Sequence, residues 1–134
     1  MSTPAVTFAN PRTAIRADLD AALSQPVGTT FPTATQLGSK TSPQPGYVQV
    51  AWDGTPASDY PVTIRATIRV TCWHINPTPA EDLAFLVLSI LGSHGGDAEL
   101  WQVLHLTGPL PGTDPDSGYA FAYSTFRVSP RPTP

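Results

Sequence analysis

Residues 62–73 alternate without a break, with Val62, Ile64, Ala66, Ile68, Val70 and Cys72 on one side and Thr63, Arg65, Thr67, Arg69, Thr71 and Trp73 on the other. Successive side chains of an extended strand point to opposite faces, so this period of two predicts a long strand with one apolar face. His74-Ile75-Asn76-Pro77 then leads into Thr78, Pro79 and Glu81, which match an N-cap, a first helical position and the third helical residue of a capping box. An apolar helix is expected through residues 83–91, and Gly92 offers the residue without a Cβ that helix ends favour. A half-buried strand running into a buried helix makes one folding unit, to which the rest of the chain must add.

Residues 1–9 read as a short arm, and Asn10-Pro11 as the cap and first residue of a helix ending near Leu23, with Ile15, Leu19, Ala22 and Leu23 as its apolar stripe and Arg16 and Asp20 off it. Pro26 stops any continuation, residues 27–31 suit a short extended segment, and residues 32–46 read as an irregular contact arm or disordered loop. Residues 47–52 alternate again, with Val48, Val50 and Trp52 on one side, before a turn at Asp53-Gly54 and a hairpin connection over residues 54–61. Beyond the second helix, residues 93–97 form a flexible link. In the strand over residues 100–106, Trp101, Val103 and His105 oppose Leu100, Gln102, Leu104 and Leu106. The Gly, Asp and Pro content of residues 107–118 predicts a loop, residues 119–128 a last strand, and residues 129–134 a Pro-rich tail unable to join a sheet. The expected fold is one α+β domain over residues 1–134, an antiparallel or mixed sheet of four to five strands with two helices packed on one face.

Hydrophobic residues make up 40% of the chain and charged residues only 13%, about half the charged share of an ordinary soluble protein. So few charges suggest that part of the surface is covered by something other than water, such as copies of the same chain. The net charge of −3 provides no basic footprint to drive binding to nucleic acid or an anionic membrane. Cys72 is alone on the apolar side of its strand, which predicts a buried structural thiol in a reducing compartment. The first residues lack the pattern of a signal peptide, and the longest apolar run, residues 83–88, is too short to span a bilayer, so a cytoplasmic product is expected.

On the second helix Glu81, Asp82 and Ser89 define a polar side into which Phe85 falls, and the outer sides of the strands add Trp73, Tyr119, Phe121 and Tyr123. Two arrangements remain open. Either this aromatic face is outside and meets a partner, or the helices cover it and the alanine-rich face lies outside. Arg65 and Arg69 share a side of the central strand, where they meet a phosphate or carboxylate or form a solvated stripe. None of His74, His94 and His105 has a second ligand or carboxylate at metal-binding spacing, and Cys72 and His74, two apart on a strand, stand about 7 Å apart, too far for direct proton transfer. Asp114 and Asp116 fall in a Pro/Gly segment where Asp makes turn bonds. No catalytic, cofactor or metal site is expected.

Several segments together resemble the tail terminator (tail completion) proteins of long-tailed bacteriophages, especially those of actinobacteria. They are the opening helix with Leu19 to Leu23, Tyr47-Val48-Gln49-Val50 before a Gly-containing turn, and the long strand ending in Cys72-Trp73-His74. They continue with Ala80-Glu81-Asp82-Leu83-Ala84, Gly108-Pro109-Leu110 with Asp114 to Gly118, and a closing Phe126-Arg127-Val128. The resemblance implies a small α+β subunit of the virion that forms a homo-hexameric ring on the completed tail tube, stops tube growth, and joins the head-tail stopper and neck proteins. The genome would pass through its lumen without sequence recognition, and no cofactor or membrane is involved. Interface candidates are Phe85, Trp73, Arg65, Arg69, Lys40, Tyr119, Phe121 and Tyr123, with residues 32–46 and 107–118 as the reaching loops. The alternatives are another neck protein, such as a stopper or connector, or a small hydrolase or ligand-binding domain using one of the three histidines.

Overall fold

Asn10 ends the extended chain and starts a helix: its side-chain oxygen accepts the N–H groups of Arg12 and Thr13 at 3.0 and 3.2 Å, and Pro11 brings a preset φ to the first turn. The computed structural model describes residues 7–54 and 64–133. Helix α1 spans Pro11–Ala22 and buries Ala14, Ile15 and Leu19. Ala22, expected on the stripe, is exposed, because the helix ends there and the chain turns to bring Leu23 into the core instead. Before α1, β1 (Thr7–Phe8) pairs antiparallel with β7 (Pro132–Thr133). The Pro-rich end therefore does join the sheets: Ser129 and Pro130 pair with Gln102 and Leu100 in the main sheet, and Pro132–Thr133 lie in a two-stranded ribbon in which every strand is an edge and a missing N–H is tolerated.

After α1, β2 (Val27–Gly28) runs parallel to β3 (Tyr47–Gly54) and makes the main sheet mixed. The segment between them is not an irregular arm. Thr33 and Gln36 form a reciprocal capping box that starts α2 (Ala34–Leu37), and Gln44 donates back to the Leu37 carbonyl at 3.1 Å. Leu37 is fully buried against Tyr47 and Trp73, which ties the segment down onto the sheet.

Strand β4 covers Ala66–His74 and pairs antiparallel with β3, placing Val48 opposite Cys72 and Val50 opposite Val70. Ile64 and Arg65 precede the strand, while Val62, Thr63 and the connection at 55–61 lie outside the described residues. The expected turn at Asp53-Gly54 is still strand, with an irregularity between Trp52 and Gly54. Helix α3 (Pro77–Gly92) begins with Asn76 as cap and Pro77 in its first turn. Of the two prolines, the earlier takes the place where no N–H is needed, so Thr78 is already helical and the expected Thr78–Glu81 box does not form. Gly92 is itself helical, and Ser93 follows at φ −94°, so the helix ends without a left-handed glycine.

Strand β5 (Leu100–Thr113) pairs antiparallel with β6 (Ala120–Pro130) to its end, so most of the loop expected over 107–118 is strand. Proline and glycine are tolerated because β5 is the outermost strand of the order β2-β3-β4-β6-β5 and shifts register between His105 and Leu110. Gly108 sits in this irregular part at φ +96°, against the backbone of Tyr123 and Ser124, where a Cβ would collide. Asp114 makes the turn: its carboxylate accepts the Ser117 N–H at 2.8 Å and the Ser117 hydroxyl at 2.7 Å, and these bonds hold its pKa below the usual carboxylate range.

Along β6, Ala120, Ala122, Ser124, Phe126 and Val128 are buried at every second residue. Of these, Ala122, Phe126 and Val128 join Ile68, Val70 and Cys72 of β4 in one core with Ile15 and Leu19 of α1 and Leu83, Val87 and Leu91 of α3. The fold is α+β as expected, a mixed five-stranded sheet with both longer helices on one face.

Candidate interaction surface

With α1 and α3 on the alanine-rich face, the aromatic face of the sheet is the outer one. It is not bare. Trp73, expected at an interface, is only 6% exposed, because Phe31 packs edge-on against it at 4.9 Å and its indole N–H donates to the Gln49 side-chain oxygen at 3.0 Å. Most of Trp73 is therefore covered from within the chain, and what stays open of it lines the groove beside it. Phe121 lies 5.1 Å from Trp73, Tyr123 lies 6.3 Å from Phe121, and Tyr119 stacks 6.2 Å from Phe31. These three rings are half-buried.

Next to them the sheet opens into a groove of about 290 Å³, bounded by Gln49, Ala51, Arg69, Thr71, Trp73, Phe121 and Tyr123. The Arg69 guanidinium sits 3.0 Å from the Asp53 carboxylate and 5.3 Å from the centre of the Tyr123 ring. An ion pair this exposed adds at most about 1 kcal/mol to stability, so its weight is in positioning. Arg65 does not join Arg69; it lies ahead of β4 in a separate hollow with Trp101 and Gln102. The face continues onto β5, where Leu110 stands opposite Tyr123 and Leu104 opposite Arg127; both leucines are exposed, at 45% and 44%. Lys40 is exposed after α2 and is not among the residues that bound the groove.

The opposite layer carries a second uncovered patch. Leu83, Ala84, Val87 and Leu91 turn α3 onto the sheet, leaving Asp82, Phe85, Leu86 and Ser89 as an outward stripe at i, i+3, i+4 and i+7. Phe85 is 59% exposed, as expected, and Leu86 47%. Leu86 escapes notice in the sequence because it lies inside the apolar run over 83–91, although Asp82 and Ser89, four positions before and three after it, share its side. The same blindness applies to Leu104 and Leu110, hidden inside a segment read as part strand and part loop.

The histidines have local roles. Burial lowers the pKa of His74, whose Nδ1 accepts the Asn76 N–H at 2.9 Å at the entry to α3. His105 contacts Phe126 at 5.6 Å and bonds to the Gly108 carbonyl at 2.9 Å. His94 has what spacing did not reveal: its Nε2 lies 3.0 Å from Asp18, 76 positions away, and 3.3 Å from Asp97. The link at 93–97 is thus pinned to α1.

One ligand atom from each of Asp18, His94 and Asp97 falls within 4.8 Å of the others, close enough to enclose a cation. The hydrogen bonds argue for a clamp instead. His94 Nδ1 accepts the Gly96 N–H at 3.0 Å, which leaves the proton on Nε2 to be donated to the carboxylates. A metal at Nε2 would push that proton to Nδ1, against the Gly96 donor.

Burial acts to raise the pKa of Asp97, but the Glu99 and Leu100 N–H groups and His94 outweigh it and hold the value below the usual range. A lowered folded pKa gives stability that is present above the unfolded value, about 3.9, and is lost as pH falls through the folded one. The Tm of the wild type is expected to drop faster on acidification below pH ~4 than that of Asp97→Asn. Parallel acid profiles would remove Asp97 from this role.

Cys72 is 1% exposed, and burial pushes its thiol up to about 12, as suits an inert core residue. Among the described residues no helix is long and apolar enough to cross a membrane. Comparison of the sequence with protein-family models and with curated proteins finds no match.

Proposed function

We propose that this chain is the tail terminator subunit of a long-tailed phage, a structural virion protein that assembles as a hexameric ring on the tail tube, ends tube polymerisation and joins the tail to the neck. The observation that carries the reading is the pair of uncovered apolar patches on opposite layers: the outer sheet face with Phe121, Tyr123, Leu104 and Leu110, and the α3 stripe with Phe85 and Leu86. Two different patches on opposite sides favour head-to-tail contacts, which build rings when the rotation closes. A two-fold dimer would need one self-complementary patch instead. The sparse charge of the chain, 13%, fits a subunit with much of its surface in contacts. The segment resemblance adds the tail end as the place of assembly.

Deleting the gene from the phage tests this reading against its nearest rival. A terminator deletion leaves tube polymers longer than the wild-type tail. Unattached tails of normal length would instead identify a head-tail stopper, and normal infectious particles would remove the protein from the neck altogether.

A further inference from the structure

We infer that the contact closing the ring is the α3 stripe of one copy seated in the aromatic groove of the next, with Phe85 as the side chain that enters it. The inference rests on the ring reading and specifies which surfaces meet. Three features of the chain point to a second copy as the occupant.

The first is shape. The groove of about 290 Å³ is open and floored by Trp73 and Phe121, and it suits a single large apolar side chain with room beside it. Phe85 is the most exposed large apolar residue among the described residues, standing between Asp82 and Ser89 on a rigid helix. A well-supported aromatic side chain entering a partner's pocket is the usual form of an interface anchor.

The second is charge. The only charged residues of α3 are Glu81 and Asp82, both acidic, at the N-terminal side of the stripe. The sheet face around the groove carries Arg69 and Arg127, and its acid, Asp53, is already held by Arg69. With Arg69 and Asp53 cancelling, Arg127 leaves this sheet face net positive, so it matches an acidic and apolar ridge, whereas two ridges would repel.

The third is placement. The ridge belongs to the helical layer and the cleft to the outer face of the sheet, so no copy can satisfy its own pair. Each subunit uses its ridge on one neighbour and its cleft on the other, an arrangement that forms a ring when the rotation between neighbours closes. A closed ring also gains from being multivalent, since each subunit is held at two contacts.

Cysteine pairs in assembled particles test the contact. Ser89→Cys lies on the ridge and Gln49→Cys in the cleft, while the buried native Cys72 stays silent to oxidation. Particles built from the double variant and oxidised mildly are expected to show a ladder of cross-linked species ending at six subunits. Mixed particles of the two single variants stop at dimers, and either single variant alone gives monomer. If losing the Gln49 bond to Trp73 unfolds the subunit, Ala51→Cys takes its place in the same groove. A six-membered ring visible at the tail end with no ladder in either pairing overturns this contact and leaves the ring reading standing. Cross-links in a single variant alone would mean a two-fold contact and overturn it as well. No ring at all overturns both.

Discussion

Phe85→Asp is expected to leave the subunit folded and abolish ring formation. The side chain is 59% exposed and α3 is held to the sheet by Leu83, Val87 and Leu91, so the change costs stability only at the level of a surface substitution, within about 0.5–1 kcal/mol. At the proposed interface the same change would remove the anchor and put a carboxylate into an aromatic groove. Losing an anchor of at least 2 kcal/mol weakens each contact about 30-fold or more. Because a ring repeats the contact at every joint, the loss compounds and assembly fails. Circular dichroism with a thermal melt checks the fold, and electron microscopy of tails made with the variant checks the ring. A misfolded variant would place Phe85 in the core, and rings of normal abundance would remove it from the contact.

Phe126→Ala is the largest expected loss of stability. Phe126 is fully buried at the centre of β6, opposite Ile68 on β4, within the cluster that both longer helices cover. Truncating such a ring costs about 3–5 kcal/mol, from lost burial and from the cavity left behind. Against a total of roughly 5–15 kcal/mol for a domain, that is a large share. Urea denaturation should show the midpoint falling at unchanged slope, with Phe126→Leu losing less than about half as much. A loss under ~1 kcal/mol would mean that the helices do not pack on the alanine-rich face.

The parts of the fold written in local pattern were legible in the sequence. The alternation of Ala66, Ile68, Val70 and Cys72 and that of Ala120 to Val128 identified the two central strands, and Asn10-Pro11 identified the start of α1. What stayed hidden depends on position in the finished sheet. Gly108, Pro109 and Pro111 argue against a strand on local grounds, yet an edge strand tolerates them, and nothing local says that β5 is an edge. Trp73 falls on the correct face, but its cover comes from Phe31, at the end of a segment read as extended, and from Leu37, in a segment that looks irregular because the capping box of a four-residue helix carries little signal. The Asp18–His94 clamp joins residues 76 positions apart and leaves no spacing to read. Of the exposed apolar side chains, Phe85 is legible because it interrupts a polar side, whereas Leu86, Leu104 and Leu110 are not, because they sit inside segments read as apolar run or loop.

The central claim is that these patches meet their counterparts on sister copies at the head-proximal end of a tail. Electron microscopy of purified tails, with the subunit located by antibody or density and its copies counted by native mass measurement of the released collar, tests it most directly. The account predicts one ring of six copies on the last layer of the tube. A copy number unrelated to six, or tails on which the protein is absent while it persists as a lone chain, contradicts it.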